Sequence, residues 1–320
     1  MKNHDVNDQR LTIGVDLGAT KIEIALVDGE GRIIRRTRQP TEAKHGPAHI
    51  VGELASSVAA MIPSDDANAV IGLGVGVAGQ VDTEAGIVRA APNLEWREFP
   101  LRQHLEAAVK LPVVVMNDVQ AATYGEWLHG VARNAEDLVC LFVGTGIGGG
   151  IVAAGRLLQG STGNAGELGH TTIDRNGPKC SCGNHGCLEA FASGWAIARF
   201  AGQRMSWRGN EAMTAGDVSA AYRRGDAAAR QVVDEIGRAL GVGLANIANS
   251  FNPTLIVLGG GVIDGLPELL PIAEAEARVR ALAAATRKLR IVRAGLGADA
   301  GAIGAARRAC DRILGDAVPG

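Results

Sequence analysis

The chain has 320 residues, of which 47% are hydrophobic and 21% charged, and its formal net charge is −2. This balance argues against a general affinity for nucleic acid or anionic membranes, and the length favours two domains over one. Apolar runs such as LPVVVM are too short to span a bilayer, and the polar start, MKNHDVNDQR, does not resemble a signal peptide.

The N-terminal part is predicted to begin with a three-stranded β-meander. The stretch LTIGVDLGATKIEIALVDGEGRIIRRTRQP alternates apolar and polar residues and is interrupted by turns at Gly18–Thr20 and Asp28–Gly31. A helix over about 48–61 and the strand VIGLGVGVAG follow, and then an irregular segment with Pro92 and Pro100. We then expect a helix over 101–109, the strand LPVVVM, and a helix that starts directly after it.

The next segment, DLVCLFVGTGIGGGIVAAGRLLQG, repeats the design of strand, glycine turn and strand, which indicates an internal duplication. After the cysteine-rich region the pattern is helical through 231–250. The buried strand TLIVLGGGV, a helix near 267–285, the strand LRIVRAG and a last helix from about 302 complete the chain. Strands that alternate with helices after each meander predict two α/β lobes with mixed sheets.

Three glycine-rich turns follow predicted strands and are candidates for phosphate binding. In the first, an acid ends an apolar strand and is followed by Gly-x-Thr, which suits Mg²⁺-bound polyphosphate, although a hairpin with a turn-capping Asp is equally compatible. The chain has no GxxxxGK[ST] motif, so none of the turns is a Walker loop. The residues concerned are Asp16, Gly18, Thr20 and Lys21; Gly144, Thr145 and Gly146; and Gly259, Gly260 and Gly261.

Asn117 and Asp118 stand where a buried strand ends and a helix begins. Asp118 could cap the helix, or it could act as a general base at the carboxyl end of the sheet. The two roles are compatible. In phosphoryl transfer, a carboxylate in this position takes the proton of the attacking hydroxyl.

Three of the five cysteines lie within eight residues, in KCSCGNHGCLEA. Cys180, Cys182 and Cys187 are soft ligands for Zn²⁺, which prefers four, and the spacing alone leaves either His170 or His185 as the fourth. A site with four protein ligands is structural. The cluster indicates a metal site in a reducing cytoplasm and not a disulfide framework.

The sequence resembles the ROK sugar kinases, which belong to the actin/hexokinase-like ATPase superfamily. The resemblance rests on DLGATK, GVGVAGQVD, PNLEW, NDVQAA, VGTGIGGGI, GNAGELGH, CSCGNHGCLEA and LGGGV, in this order. It implies a two-lobed actin-like ATPase fold of the ribonuclease H-like class, with an interlobe cleft. We expect a small lobe over 1–118, completed by the C-terminal helix (302–320), and a large lobe over 119–301 with a zinc-binding loop at 170–187.

The resemblance also assigns roles to individual residues. Asp118 matches the catalytic base, and the three glycine-rich turns match the ATP-binding residues, the third lying near the adenosine. His170 becomes the fourth zinc ligand beside Cys180, Cys182 and Cys187. The residues that match sugar contacts are Gly79, Asn93, Asn117, Asp118, Glu167, His170 and Glu189.

The function implied is an ATP-dependent hexose kinase that phosphorylates the 6-hydroxyl of glucose, with Mg²⁺ and structural Zn²⁺, in a cytoplasmic homodimer. N-acetylmannosamine, N-acetylglucosamine and fructose are alternative acceptors, and polyphosphate is an alternative donor. A sugar sensor without catalysis and a transcriptional repressor are the alternatives from other classes. Only about ten polar residues precede Leu11, which disfavours a DNA-binding domain there. We expect no nucleic-acid or membrane partner.

Overall fold

The computed structural model describes residues 10–64, 69–205 and 213–315, which form two compact units. The first unit contains the described residues up to Asn134, together with 155–165 and those from Ala298 onward. The second contains Ala135–Ala154 and the described residues of Gly166–Gly297. The sequence-based division fell after Asp118, sixteen residues before the end of the first unit's leading segment.

The first unit is built on a five-stranded mixed sheet with the order β3-β2-β1-β4-β8. The predicted meander is present: β1 pairs antiparallel with β2, and β2 with β3. On its other side β1 pairs parallel with β4, and β4 with β8. These strands are β1 (Leu11–Leu17), β2 (Lys21–Asp28), β3 (Ile33–Pro40), β4 (Val70–Val77) and β8 (Val113–Asn117).

A second, three-stranded sheet forms where the sequence predicted an irregular segment, so that expectation was wrong. It consists of β5 (Gln80–Asp82), β6 (Ile87–Ala91) and β7 (Trp96–Phe99), paired antiparallel in this order. The strands are only three to five residues long, and Pro92 interrupts the pattern between the last two. Burial of Val88 and Trp96 holds the sheet on the core of the unit.

The helices of the first unit pack on both faces of the large sheet. The last of them makes the densest contacts, with α3, β1 and β4. The helices are α1 (Gly46–Met61), α2 (Leu101–Val109), α3 (Asp118–Leu128) and α11 (Ala300–Leu314).

Glycines allow α11 to lie directly on the backbone of its neighbours. A Cβ atom added to Gly14 of β1 would stand 1.8 Å from the Ala302 carbonyl oxygen, and one on Gly74 of β4 would stand 1.9 Å from that of Ala305. Gly304 of α11 allows an equally close approach to α3, because a Cβ atom added there would lie 1.7 Å from the Ala121 carbonyl oxygen. No side chain fits at these contacts unless the helix moves.

We therefore expect Gly304→Ala to lower the free energy of unfolding by about 2–3 kcal/mol, because the added methyl group overpacks the α3–α11 contact. The control is Gly52→Ala in α1, where an added Cβ meets no atom within 4 Å. There the substitution should stabilise by about 0.5–1 kcal/mol through helix propensity. Urea unfolding of both variants measures the difference, and equal effects would contradict the packing argument.

The second unit repeats the arrangement around strands in the order β10-β9-β12-β13. An antiparallel hairpin, β9 with β10, is extended by parallel pairing of β9 with β12 and of β12 with β13. This is the predicted strand–turn–strand design. The strands are β9 (Leu138–Val143), β10 (Ile147–Ala153), β12 (Leu255–Gly259) and β13 (Arg290–Arg293), and the two-residue strand β11 (Arg156–Leu157) follows β10 in the chain.

Helices cover the sheet of the second unit, and the longest, α7, buries an apolar face against it. The helix predicted near 267–285 is divided into α9 and α10 by a break at Ala281–Leu282. The helices are α4 (Glu189–Ala192), α5 (Gly194–Arg204), α6 (Ala215–Arg223), α7 (Ala227–Phe251), α8 (Gly261–Gly265), α9 (Leu269–Arg280) and α10 (Ala283–Thr286).

Among the described residues, no helix combines the length and the apolar character needed to cross a membrane.

Candidate active site

The carboxyl ends of β1, β4 and β8 lie at one edge of the first sheet. Because the three strands are parallel and in register, Asp16 is aligned with Gly76, and Gly76 with Met116. Asn117 ends β8, and Asp118 begins α3 immediately afterwards. Polar residues at this edge of an open α/β sheet are typical of a ligand site.

Asn117, and not Asp118, caps helix α3. Its Oδ1 accepts a hydrogen bond from the Gln120 N–H at 3.0 Å, and its backbone is extended, as a capping residue requires. Its Nδ2 donates to the Gly79 carbonyl oxygen and to Asp118 Oδ1, both at 3.0 Å. The alternative in which Asp118 caps the helix is therefore wrong, and the Asp118 carboxylate is oriented by its neighbour.

Asp16 lies in an environment that disfavours its charged form. Burial, followed by the nearby Asp118 carboxylate, raises its pKa to about 7, although Lys21 acts in the opposite direction. Part of the residue remains accessible, so the carboxylate is surrounded by protein but not sealed from water. Gly301 of α11 leaves the space that the carboxylate fills, because a Cβ there would lie 2.8 Å from Asp16 Oδ2. A pair of nearby carboxylates in which one has a raised pKa is a typical site for a divalent cation.

The turn after Asp16 is tied to the end of β3. The Gly18 N–H donates to the Lys21 carbonyl oxygen at 3.1 Å and closes the turn. Thr41 Oγ1 donates to the Gly18 carbonyl oxygen at 2.7 Å, and the Thr41 N–H donates to that of Thr20 at 3.0 Å. Thr41 thereby holds the turn from outside, a role that the local sequence does not indicate.

The two glycine turns of the second unit lie side by side. Strands β9 and β12 are parallel, with Gly259 aligned with Phe142, so their carboxyl ends coincide. Gly260 has φ +92°, and a Cβ there would stand 2.4 Å from the Val143 carbonyl oxygen, so only glycine fits. The other turn is closed by a hydrogen bond from the Gly144 N–H to the Gly146 carbonyl oxygen at 2.9 Å.

The cysteine-rich loop brings four metal-ligating side chains together. The ligand atoms of His170, Cys180, Cys182 and Cys187 all lie within 4.8 Å of one another. Cys180 Sγ is 3.6 Å from His170 Nδ1, and Cys182 Sγ is 3.8 Å from Cys187 Sγ. A zinc tetrahedron with its usual bond lengths has edges of about 3.6 Å between N and S and about 3.8 Å between two S atoms, so the donors fit this ion. His185 is exposed and is not a member of this group.

The pKa values of two thiols in this cluster are shifted, in opposite directions. Burial and the neighbouring thiols raise the pKa of Cys187 to about 12. Cys182 has a lowered pKa, chiefly because the Asn184 N–H donates to its sulfur. A cation at the centre would take the place of the thiol protons and favour the thiolates.

Glu189 connects the cysteine loop with the second glycine turn. It is buried, and its Oε2 accepts a hydrogen bond from the Ile147 N–H at 2.9 Å. Its Oε1 accepts one from Ser181 Oγ at 2.8 Å. Gly146 leaves room for this carboxylate, because a Cβ there would be 2.5 Å from Oε2. Glu189 therefore couples the two segments.

The remaining predicted sugar contacts are more exposed. Asn93 lies in the 3-10 turn Pro92–Leu94 of the first unit. Glu167 immediately precedes the 3-10 turn Leu168–His170 of the second unit. Within the first unit the structure gathers Gly79, Asn117 and Asp118 through direct hydrogen bonds. Within the second it links Glu189 to the cysteine cluster through Ser181.

Sequence reasoning missed four residues that support these sites: Thr41, Gln120, Ser181 and Gly301. Gln120 is buried, and its Nε2 donates to the carbonyl oxygens of Gly163 and Ala165 at 2.9 and 3.1 Å. Thr41, Gln120 and Gly301 act through contacts distant in sequence, which local spacing cannot reveal. Gln120 and Ser181 lie inside the motifs NDVQAA and CSCGNHGCLEA, whereas Thr41 and Gly301 lie in none of the recognised motifs.

Comparison with known proteins places these features in a family. Over 308 residues the chain is 37% identical to a glucokinase from Halalkalibacterium halodurans, covering 92% of this chain and 93% of that protein. It is 34% identical over 259 residues to a xylose repressor from Caldicellulosiruptor bescii, covering 77% of this chain and 65% of the repressor. The structure resembles a ROK family glucokinase from Streptomyces griseus solved with glucose and AMPPNP, with a TM-score of 0.82, 36% identity, and coverage of 94% and 99% of the two chains.

The family model that matches is that of the ROK family, and it covers residues 12–311. The match includes the glycine turns, Asp118 and the cysteine cluster, and the fold agrees with the actin-like ATPase fold expected from the motifs. The chain belongs to the ROK family.

Proposed function

We propose that this protein is an ATP-dependent hexose kinase that transfers the γ-phosphoryl group of ATP to the 6-hydroxyl of glucose. The observation that carries the proposal is the edge of the first sheet, where Asp118, oriented by Asn117, begins a helix close to the half-buried Asp16 and its glycine turn. The similarity to glucokinases over more than nine-tenths of the chain supports glucose as the acceptor.

In the proposed mechanism Asp118 accepts the proton of the 6-hydroxyl as its oxygen attacks the γ-phosphorus. Asn117 holds the Asp118 carboxylate in place through its Nδ2. Backbone N–H groups of the turns at Gly18–Thr20 and Gly144–Gly146 would bind phosphate oxygens, and the turn at Gly259–Gly261 would lie near the adenosine. Asp16 would hold Mg²⁺ beside the phosphates. When bound, Mg²⁺ supplies charge neutralisation at the phosphates. The residues proposed to bind the sugar are Gly79, Asn93, Asn117, Glu167, His170 and Glu189.

The test is an ADP-release assay with purified, zinc-replete protein, MgATP and a panel of glucose, fructose, N-acetylmannosamine and N-acetylglucosamine. We expect the highest kcat/KM on glucose, and a product that glucose-6-phosphate dehydrogenase oxidises. Polyphosphate in place of ATP tests the donor. A preference for an N-acetylated sugar would overturn the choice of glucose as the acceptor. No turnover on any sugar would overturn the proposal that the protein is a kinase.

A sugar sensor without catalysis is the second candidate, because the chain is also 34% identical to a xylose repressor. It predicts glucose binding by calorimetry without ADP release in the same preparation. The homodimer and the cytoplasmic location stay predictions.

We further propose that His170, Cys180, Cys182 and Cys187 hold a structural zinc ion that orders the loop leading to Glu189. Cys182→Ala should release one zinc ion per chain and raise the KM for glucose by about tenfold or more, with a smaller change in kcat, because the metal shapes the loop. Mass spectrometric metal analysis and steady-state kinetics measure both effects. The control is Cys310→Ala, a buried cysteine of α11 outside the cluster, which should keep the zinc. Equal zinc contents in the two variants would contradict the site.

A further inference from the structure

A second group of metal-ligating side chains lies in the first unit, at the start of α1. Glu42, His45 and His49 offer three ligand atoms within 4.8 Å of one another. Glu42 Oε2 is 3.0 Å from His45 Nδ1 and 2.7 Å from His49 Nε2, so both imidazoles point at one carboxylate oxygen. The two rings stand edge to face with their centroids 4.8 Å apart.

The spacing of these residues follows from the local backbone. Ala43–His45 form a 3-10 turn, and α1 follows after a bend at Gly46, whose φ of +80° and ψ of 173° lie outside the helical region. The bend places the His45 ring beside that of His49 in the first turn of α1, so that both rings reach the same carboxylate oxygen of Glu42. Glu42 stands one turn before His45 and completes a row of three donors.

We propose that Glu42, His45 and His49 form a second site for a divalent transition metal and that the ion it binds is Zn²⁺. Two imidazole nitrogens and one carboxylate oxygen are a donor set that zinc accepts. All three side chains are accessible to solvent, so water can take the remaining position. Neutral imidazole binds the ion through the nitrogen that now faces Glu42, and its proton is then carried by the other ring nitrogen.

Two further observations support the site. A cavity of about 60 Å³ is bordered by Glu42, His49 and Glu53, which brings a second carboxylate to the rim of the cluster. Glu42 Oε2 already faces a ring nitrogen of each histidine, so the three donors converge on one point. Glu42 also directly follows Thr41, which holds the Gly18–Thr20 turn. The site thus adjoins the segment that supports the proposed phosphate turn, yet it uses none of the residues of that turn.

The test compares zinc stoichiometry in tag-free, full-length wild type and in His45→Ala/His49→Ala, each equilibrated with Zn²⁺ and dialysed. We expect the double variant to hold one zinc ion fewer per chain. The zinc content of the cysteine cluster should not change. Lys44→Ala, an exposed residue of the same 3-10 turn, is the matched control and should retain the wild-type content. Equal zinc contents in wild type and double variant would overturn the proposal.

Co²⁺ distinguishes the two sites by spectroscopy. Cobalt at the cysteine cluster gives strong thiolate charge-transfer absorption, whereas cobalt bound by two imidazoles and a carboxylate gives only weak visible bands. We expect a second Co²⁺ equivalent to add weak bands in the wild type and in Lys44→Ala, and none in the double variant. A thiolate spectrum that accounts for all bound cobalt in the wild type would overturn the site. Both readouts are independent of kinase activity, so they stand apart from the test of the proposed function.

Discussion

Asp118→Asn is expected to lower kcat on glucose by about 10²–10⁴-fold, because the amide cannot take the proton of the attacking hydroxyl. The KM for glucose should change little. Asparagine has nearly the same shape, and its Oδ1 can still accept the hydrogen bond that Asn117 Nδ2 donates at 3.0 Å. The helix also keeps its cap, which Asn117 supplies.

The control for this variant is Asp28→Asn, which removes a carboxylate from the same unit. Asp28 is aligned with Leu11 across the β1–β2 hairpin, at the opposite end of β1 from Asp16. Asp28→Asn should therefore leave kcat unchanged. Initial rates by ADP release and sugar affinity by calorimetry are compared for both variants. An Asp118→Asn enzyme with wild-type kcat would exclude Asp118 as the base, and one that neither binds sugar nor folds would exclude the purely chemical role.

Asp16→Asn is expected to raise the free energy of unfolding while abolishing most of the activity. In the folded chain the pKa of Asp16 is about 7, against 3.8 for an ordinary aspartate. Below pH 3.8 the carboxyl group is protonated in both states and has no effect. Between these values the folded chain retains a proton that the unfolded chain has released, so its stability falls as the pH rises. Above pH 7 the loss is complete.

Asparagine removes this cost, so the variant should gain about 2–4 kcal/mol at pH 8 and much less at pH 4, measured by urea unfolding in buffer without magnesium or nucleotide. Its kcat should fall by about 10²-fold or more, because the carboxylate that orients the cation is lost. Asp28→Asn again provides the contrast. Burial alone would raise the pKa of Asp28, but hydrogen bonds from Arg32 lower it, so its loss should destabilise. A destabilised Asp16→Asn protein at pH 8 would contradict the argument.

The order of the main strands along the chain could be predicted because the meander alternates apolar and polar residues between turns, and because β4, β8, β9 and β12 are apolar runs. The small sheet β5–β7 could not, since its strands are three to five residues long and Trp96–Phe99 alternates only once between buried and exposed residues. Short strands gain stability from their neighbours, and a local pattern does not contain those neighbours.

In the candidate site, too, some features could be predicted from the local sequence and others could not. Asp118 and the cysteine cluster were predicted because residues adjacent in sequence carry their chemistry. The contacts that position them were not. Asn117 proved to be the cap of α3, Ser181 holds Glu189, and Gly301 makes room for Asp16 from the other end of the chain. Such contacts depend on which elements become neighbours, and that is decided by the whole fold.

The packing of α11 also has a consequence for the order in which the protein matures during synthesis. The helix that covers β1 and β4, and that leaves space for Asp16, is made from residues 300–314, whereas those strands are made from residues 11–77. The second unit, whose last residue is Gly297, can complete its sheet earlier. On the ribosome, the surface of the first sheet that α11 covers therefore stays exposed until residues 300–314 have been made, and exposed apolar surface of this kind favours aggregation during that interval.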